Sequence, residues 1–103
     1  MTLREINDIL ESTGIPAAYL AFPESEVPEL PLISYQIPYT NNFSADGRVY
    51  SAINHVQIDL YTKYKDEATE QILESALASF FYNKQSEYLE DEDCYRTIYE
   101  MEV

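Results

Sequence analysis

A chain of 103 residues, 46% hydrophobic and 24% charged, has the composition of one folded domain and is too short for two. Its size buries roughly 60–65% of the unfolded surface, enough for one core but not for a large enclosed active site besides. Six basic against nineteen acidic residues give a formal charge of -13 with the one histidine neutral, which disfavours unaided binding to phosphate backbones.

Thr2 and Glu5 have the spacing of a capping box, and Leu3, Ile6, Ile9 and Leu10 recur on one face, which predicts a short first helix. Gly14, Ile15 and Pro16 end it, because glycine suits the residue after a helix and proline discourages continuation. Ala17 to Phe22 reads as a strand. Pro23, Pro28 and Pro31, set among Glu24, Glu26 and Glu29, predict an acidic loop without regular structure.

From Leu32 the pattern alternates, with Ile33, Tyr35, Ile37 and Tyr39 on one face, and Pro38 predicts a bend or a sheet edge. Tyr50, Ala52, Asn54, Val56, Ile58 and Leu60 form a second alternating run. The two runs read as the arms of one long hairpin, its tip holding Asn41, Asn42, Asp46 and Gly47. Asp66 caps a second helix whose Ala68, Ile72, Leu73, Ala76, Leu77 and Phe80 step at three and four along one face. Glu67 and Glu70 suit the amino end of its dipole, and Lys84 is favourably signed past its carboxyl end. Two short strands follow around the turn Glu90 to Asp93, the second with Tyr95, Thr97, Tyr99, Met101 and Val103 on one face. The order α-β-β-β-α-β-β over a single domain, residues 1–103, predicts an α+β fold: an antiparallel or mixed sheet with a long hairpin, packed against two helices.

The chemistry on offer is thin. His55 is the only imidazole and Cys94 the only thiol, and they become neighbours only if their strands pair. A solvated or satisfied strand histidine is the simpler reading of His55, with Asp59 able to orient it but no nucleophile to serve, so no catalytic residue is assigned. Glu90, Asp91, Glu92 and Asp93 lack the ligand spacing and glycine of a calcium loop and read as a solvated turn, so no metal site is assigned. Two glycines cannot build a phosphate cradle, and no cofactor is expected. A lone cysteine and the absence of an apolar core after Met1 predict a reducing cytoplasm. Gly14 to Pro23 falls far short of the ~20 residues that span a bilayer, so no membrane partner is expected. Ten tyrosines, among them Tyr35, Tyr39, Tyr88, Tyr95 and Tyr99 at strand positions, suit sheet packing and also protein interfaces. A small, acidic, tyrosine-rich domain without catalytic parts reads as an assembly component.

The residue order resembles the tail terminator or tail completion (head-tail joining) proteins of long-tailed bacteriophages and prophages, especially those of Gram-positive hosts. The resemblance rests on Gly14-Ile15-Pro16-Ala17-Ala18-Tyr19, Leu30-Pro31-Leu32-Ile33-Ser34-Tyr35 and Ala45-Asp46-Gly47-Arg48-Val49-Tyr50. It continues through Val56-Gln57-Ile58-Asp59-Leu60-Tyr61-Thr62 into Lys65-Asp66, and through Tyr88-Leu89-Glu90 to Tyr95-Arg96-Thr97-Ile98-Tyr99-Glu100. It implies a virion protein, assembled in the host cytoplasm, that forms a six-membered ring at the head-tail interface. Such a ring caps the tail tube protein, stops its polymerisation and meets the head-completion or connector protein, while DNA passes through without specific binding. No catalytic residues come with the family.

A closed ring needs a heterologous contact, and the hairpin tip, Asn41, Asn42, Phe43, Asp46 and Arg48, is the candidate subunit interface. Glu90, Asp91, Glu92 and Asp93 are candidates for an acidic lumen or partner surface that repels passing phosphates. Two alternatives share the size and acidity: an acidic DNA mimic that inhibits a restriction or repair protein, and a head-completion or neck adaptor.

Overall fold

In the computed structural model, residues 2–45 and 48–102 are described, with side chains described outside 39–53. Helix α1 spans Leu3–Glu11, and its capping box is closed: Thr2 accepts from the Glu5 amide at 3.2 Å while the Glu5 carboxylate reaches back to Thr2. Ile6 and Leu10 turn inward, and Gly14 takes the left-handed φ of 77° that ends the turn.

Strand β1 is Ala17–Tyr19, shorter than the Ala17 to Phe22 expected. Leu20 adopts a φ of 67° and the Ala21 amide donates to the Tyr19 carbonyl, a γ-turn that removes the chain from the sheet. The acidic proline segment contains one 3-10 turn, Glu24–Glu26, where no regular structure was expected, and a cis Leu30–Pro31 bond precedes the next strand.

Strands β2 (Leu32–Ala45) and β3 (Arg48–Thr62) form the long antiparallel hairpin, with register shifts at Gln36/Tyr39, beside Pro38, and at Phe43/Ser44. Helix α2 covers Glu67–Ala76, capped by the Asp66 carboxylate on the Thr69 amide. Strands β4 (Asn83–Leu89) and β5 (Cys94–Glu102) complete a sheet of order β1-β2-β3-β5-β4. Only β1 and β2 run parallel, so the fold is α+β with a mixed sheet.

One sheet face, with Ile33, Tyr35, Val56, Ile58, Leu60 and Tyr99, packs against Ile6 and Leu10 of α1 and Leu73 and Leu77 of the α2 segment. The Tyr35 hydroxyl donates to Asn7 at 2.9 Å and so ties α1 to β2. The expected inward stripe of α2 is rotated. Ile72 is 50% exposed and Ala68 is exposed too, while Glu70 turns inward, because two lysines satisfy its carboxylate there.

Candidate assembly surface

The sheet is not of even height. The last partner of β3 on the β5 side is His55, opposite Glu102, and β1 meets β2 only at residues 33–35. From Arg48 to Asn54, β3 therefore has only β2 beside it among the described residues, a two-stranded ribbon about 23 Å long at 3.3 Å per residue. The molecule measures 50 × 29 × 26 Å. Its radius of gyration is 15.0 Å, against roughly 13 Å for a compact chain of this length. A ribbon of two strands is marginal in water, and with no third strand laddered to either edge among the described residues it is a natural place for another chain to bind. The proposed tip residue Asp46 lies outside the described residues, and Asn41, Asn42, Phe43 and Arg48 are described as backbone alone.

At the base of this arm, where β5 stops, is a notch of about 390 Å³ lined by His55, Phe81, Asn83, Glu100 and Glu102 among others. Phe81 stands 99% exposed at its rim. The chain leaves α2 through a turn closed by the Phe80 amide on the Leu77 carbonyl, after which Phe80 and Tyr82 pack inward and Phe81 between them points out. Leaving such a ring in water forgoes roughly 1.5–3 kcal/mol of burial. The signal was present in the run Phe80-Phe81-Tyr82, because three successive aromatics in extended chain cannot share one side. Residue-by-residue periodicity assigned only Phe80.

The acidic candidates lie at the other end of the molecule. Glu90, Asp91, Glu92 and Asp93 make the exposed β4–β5 turn, beyond the pair Leu89 and Cys94. Asp93 takes a left-handed φ of 50° and accepts a short hydrogen bond from the Tyr88 hydroxyl, so it closes the turn while the other three face solvent. The structure does not bring hairpin tip and acidic turn together. Nor does it pair His55 with Cys94. Strands β3 and β5 are neighbours but antiparallel, so His55 meets Glu102 at one end while Cys94 lies past the Thr62–Tyr95 pair at the other. Cys94 is buried, and burial, with Glu92 and Asp93 nearby, pushes its thiol up and away from reactivity.

The tyrosines divide between packing and surface. Tyr99 is fully buried, its hydroxyl donating to Glu74 at 3.0 Å, and burial with the nearby Glu74 and Glu70 carboxylates drives its ionisation far up. Tyr88 and Tyr95 pair across β4 and β5 with ring centroids 5.2 Å apart, while Tyr64 is exposed. Lys84 does not serve the α2 dipole as expected. From β4 it reaches Glu70 at 2.7 Å and Glu74 at 2.9 Å, with Lys65 3.0 Å from Glu70 on the other side. Burial raises the Glu70 carboxyl, but the hydrogen bonds and charges of Lys84 and Lys65 outweigh it and hold the group below its usual range.

No family model and no curated protein matches the chain. Among solved structures, the fold is similar to a chain in the virion of a native gene transfer agent particle, with a TM-score of 0.64. The superposition covers 97% of this chain and 85% of that one at 15% sequence identity. At that identity the likeness is one of fold. No helix among the described residues is long and apolar enough to cross a membrane.

Proposed function

We propose that this chain is a structural virion protein of a long-tailed phage or prophage: a tail terminator that forms a six-membered ring on the tail tube and joins tail to head. The observation that carries the reading is the fold likeness, over 97% of the chain, to a component of a gene transfer agent virion. Two features of the surface support it. The β2–β3 ribbon projects beyond the rest of the sheet with no third strand beside it among the described residues, suited to the heterologous contact that closes a ring. Phe81, exposed beside the base of the same ribbon, supplies an aromatic anchor next to it. The tube protein and the head connector are then the partners of the two ring faces, and the -13 charge keeps passing DNA from sticking to the bore.

The reading is tested by disrupting the gene in its phage and imaging the induced lysate by negative-stain electron microscopy. Overlong or unattached tails beside filled heads are expected. Full heads and tails of normal length that fail to join would reassign the protein as a neck adaptor, and intact infectious particles would overturn the virion role in favour of a DNA mimic.

A further inference from the structure

The apolar core uses one side of the sheet; the other side carries neither helix. By strand alternation Ser34, Gln57, Asp59, Arg96, Ile98 and Glu100 share this second face, with Asp59 opposite Ser34 on one side and Ile98 on the other. Asp59 is only 6% exposed, yet no cation lies within ion-pair distance of it among the described residues. Its two carboxylate oxygens share one donor group, the Gln57 side-chain amide, at 3.1 and 3.3 Å. The one guanidinium of this face, Arg96, has its Nε 3.0 Å from Glu87 instead, out of line for a hydrogen bond. Asp59, Glu87 and Glu100 thus set three carboxylates against one arginine.

We propose that this helix-free face is a docking surface for a separate basic protein, which presents an arginine fork to the Asp59 carboxylate. The inference rests on the reading of the chain as an assembly component and names the chemistry of one partner. A carboxylate offers about four acceptor sites, and among the described residues both Asp59 oxygens accept from one amide group alone, so acceptor capacity remains for a guanidinium once that amide moves. Gln57 and Arg96, both long and flexible, are the groups that must swing aside. A second copy of this chain is a poor source of that guanidinium. Arg96 already faces Glu87, and the repulsion between two copies at -13 weighs against Arg4 or Arg48 of another copy as the donor. Asp59 also does the fold no service: burial, its largest influence, raises its carboxyl against the lowering effect of Gln57 and Arg96, so the charged form is held at a cost. The face continues through Glu100 to the notch at the arm base, so a partner seated on it also reaches Phe81.

The test is a nitrogen-15 NMR titration of the intact protein with a capped Gly-Arg-Gly peptide, beside the same peptide carrying neutral citrulline. Saturable shifts at Gln57, Asp59, Arg96 and Ile98 are expected with arginine and not with citrulline. In Asp59→Asn they fall at least tenfold in affinity, while that variant unfolds at a higher urea concentration than the parent. Shifts centred on Glu90 to Asp93 or on the Glu70 cleft, equal response of Asp59→Asn, no saturable shift, or a destabilised Asp59→Asn chain would each overturn the proposal. Because the titration uses the isolated protein, its outcome is independent of what tail morphology shows about the virion role.

Discussion

Glu70 and Asp59 are both buried carboxylates, and they act on the fold with opposite sign. Lys65 and Lys84 reach Glu70, whose side chain is 3% exposed, and the net effect lowers its pKa below the value it has in the unfolded chain. A lowered acid stabilises the fold fully above its unfolded pKa, and the contribution is lost as pH falls through the folded value. Asp59 is raised, so its unfavourable contribution is present at neutral pH and disappears as pH falls through its folded pKa. Glu70→Gln is therefore expected to cost about 1–3 kcal/mol at pH 7, less than a fully buried pair because both lysines retain partial access to water. The difference from the parent should shrink below about pH 4.3, near the ordinary glutamate pKa. Urea midpoints of the two chains at pH 7 and pH 3.5 check both the size and the sign.

At the scale of elements, the arm extends past the described core. Ile33, Tyr35, Val56, Ile58, Leu60 and Tyr99 all lie in the part of the sheet where β3 is bonded on both sides, below the ribbon. Replacing residues 41–53 by a two-residue Asn-Gly turn, which would join the paired Thr40 and Asn54, should leave the thermal midpoint within a few degrees of the parent. The same excision should abolish ring formation, read by sedimentation in the presence of tail tubes; a ring formed without the arm would remove it from the contact. Much of this element layout was legible in the sequence. The capping box of Thr2 and Glu5, the alternation of β3, β5 and β2 as far as Gln36, and the Asp66 cap are local patterns and appear where expected, whereas the register shift beside Pro38 sets Tyr39 opposite His55 and out of step with Ile33 and Tyr35. What periodicity could not register is which polar residue finds a partner across the fold. Glu70 displaces Ile72 from the inner face because Lys84 arrives from β4, and Asp59 becomes a site only when Arg96 and Ile98 of β5 lie beside it. Strand β1 stops early because Leu20 takes a left-handed conformation that a leucine does not announce.

For the whole molecule, charge sets the terms of association. Copies at -13 repel, and raising ionic strength from 0.05 to 0.5 M shortens the screening length from about 14 to about 4 Å. Self-association should therefore strengthen with salt, while docking of a basic partner weakens over the same range, and sedimentation across a salt series separates the two. A self-contact that weakened steadily with salt would place cations at its centre. The topology has a mechanical corollary. Strand β3 is the middle strand, and the chain that forms the outer arm runs without a break into Thr62, bonded to β2 on one side and to β5 on the other. A pull applied at the arm along its axis is thus borne in shear, many transverse bonds resisting together, rather than peeled one bond at a time from an edge. The arm is a tether anchored in the centre of the sheet, and tension on it is shared by the whole fold before any strand gives way.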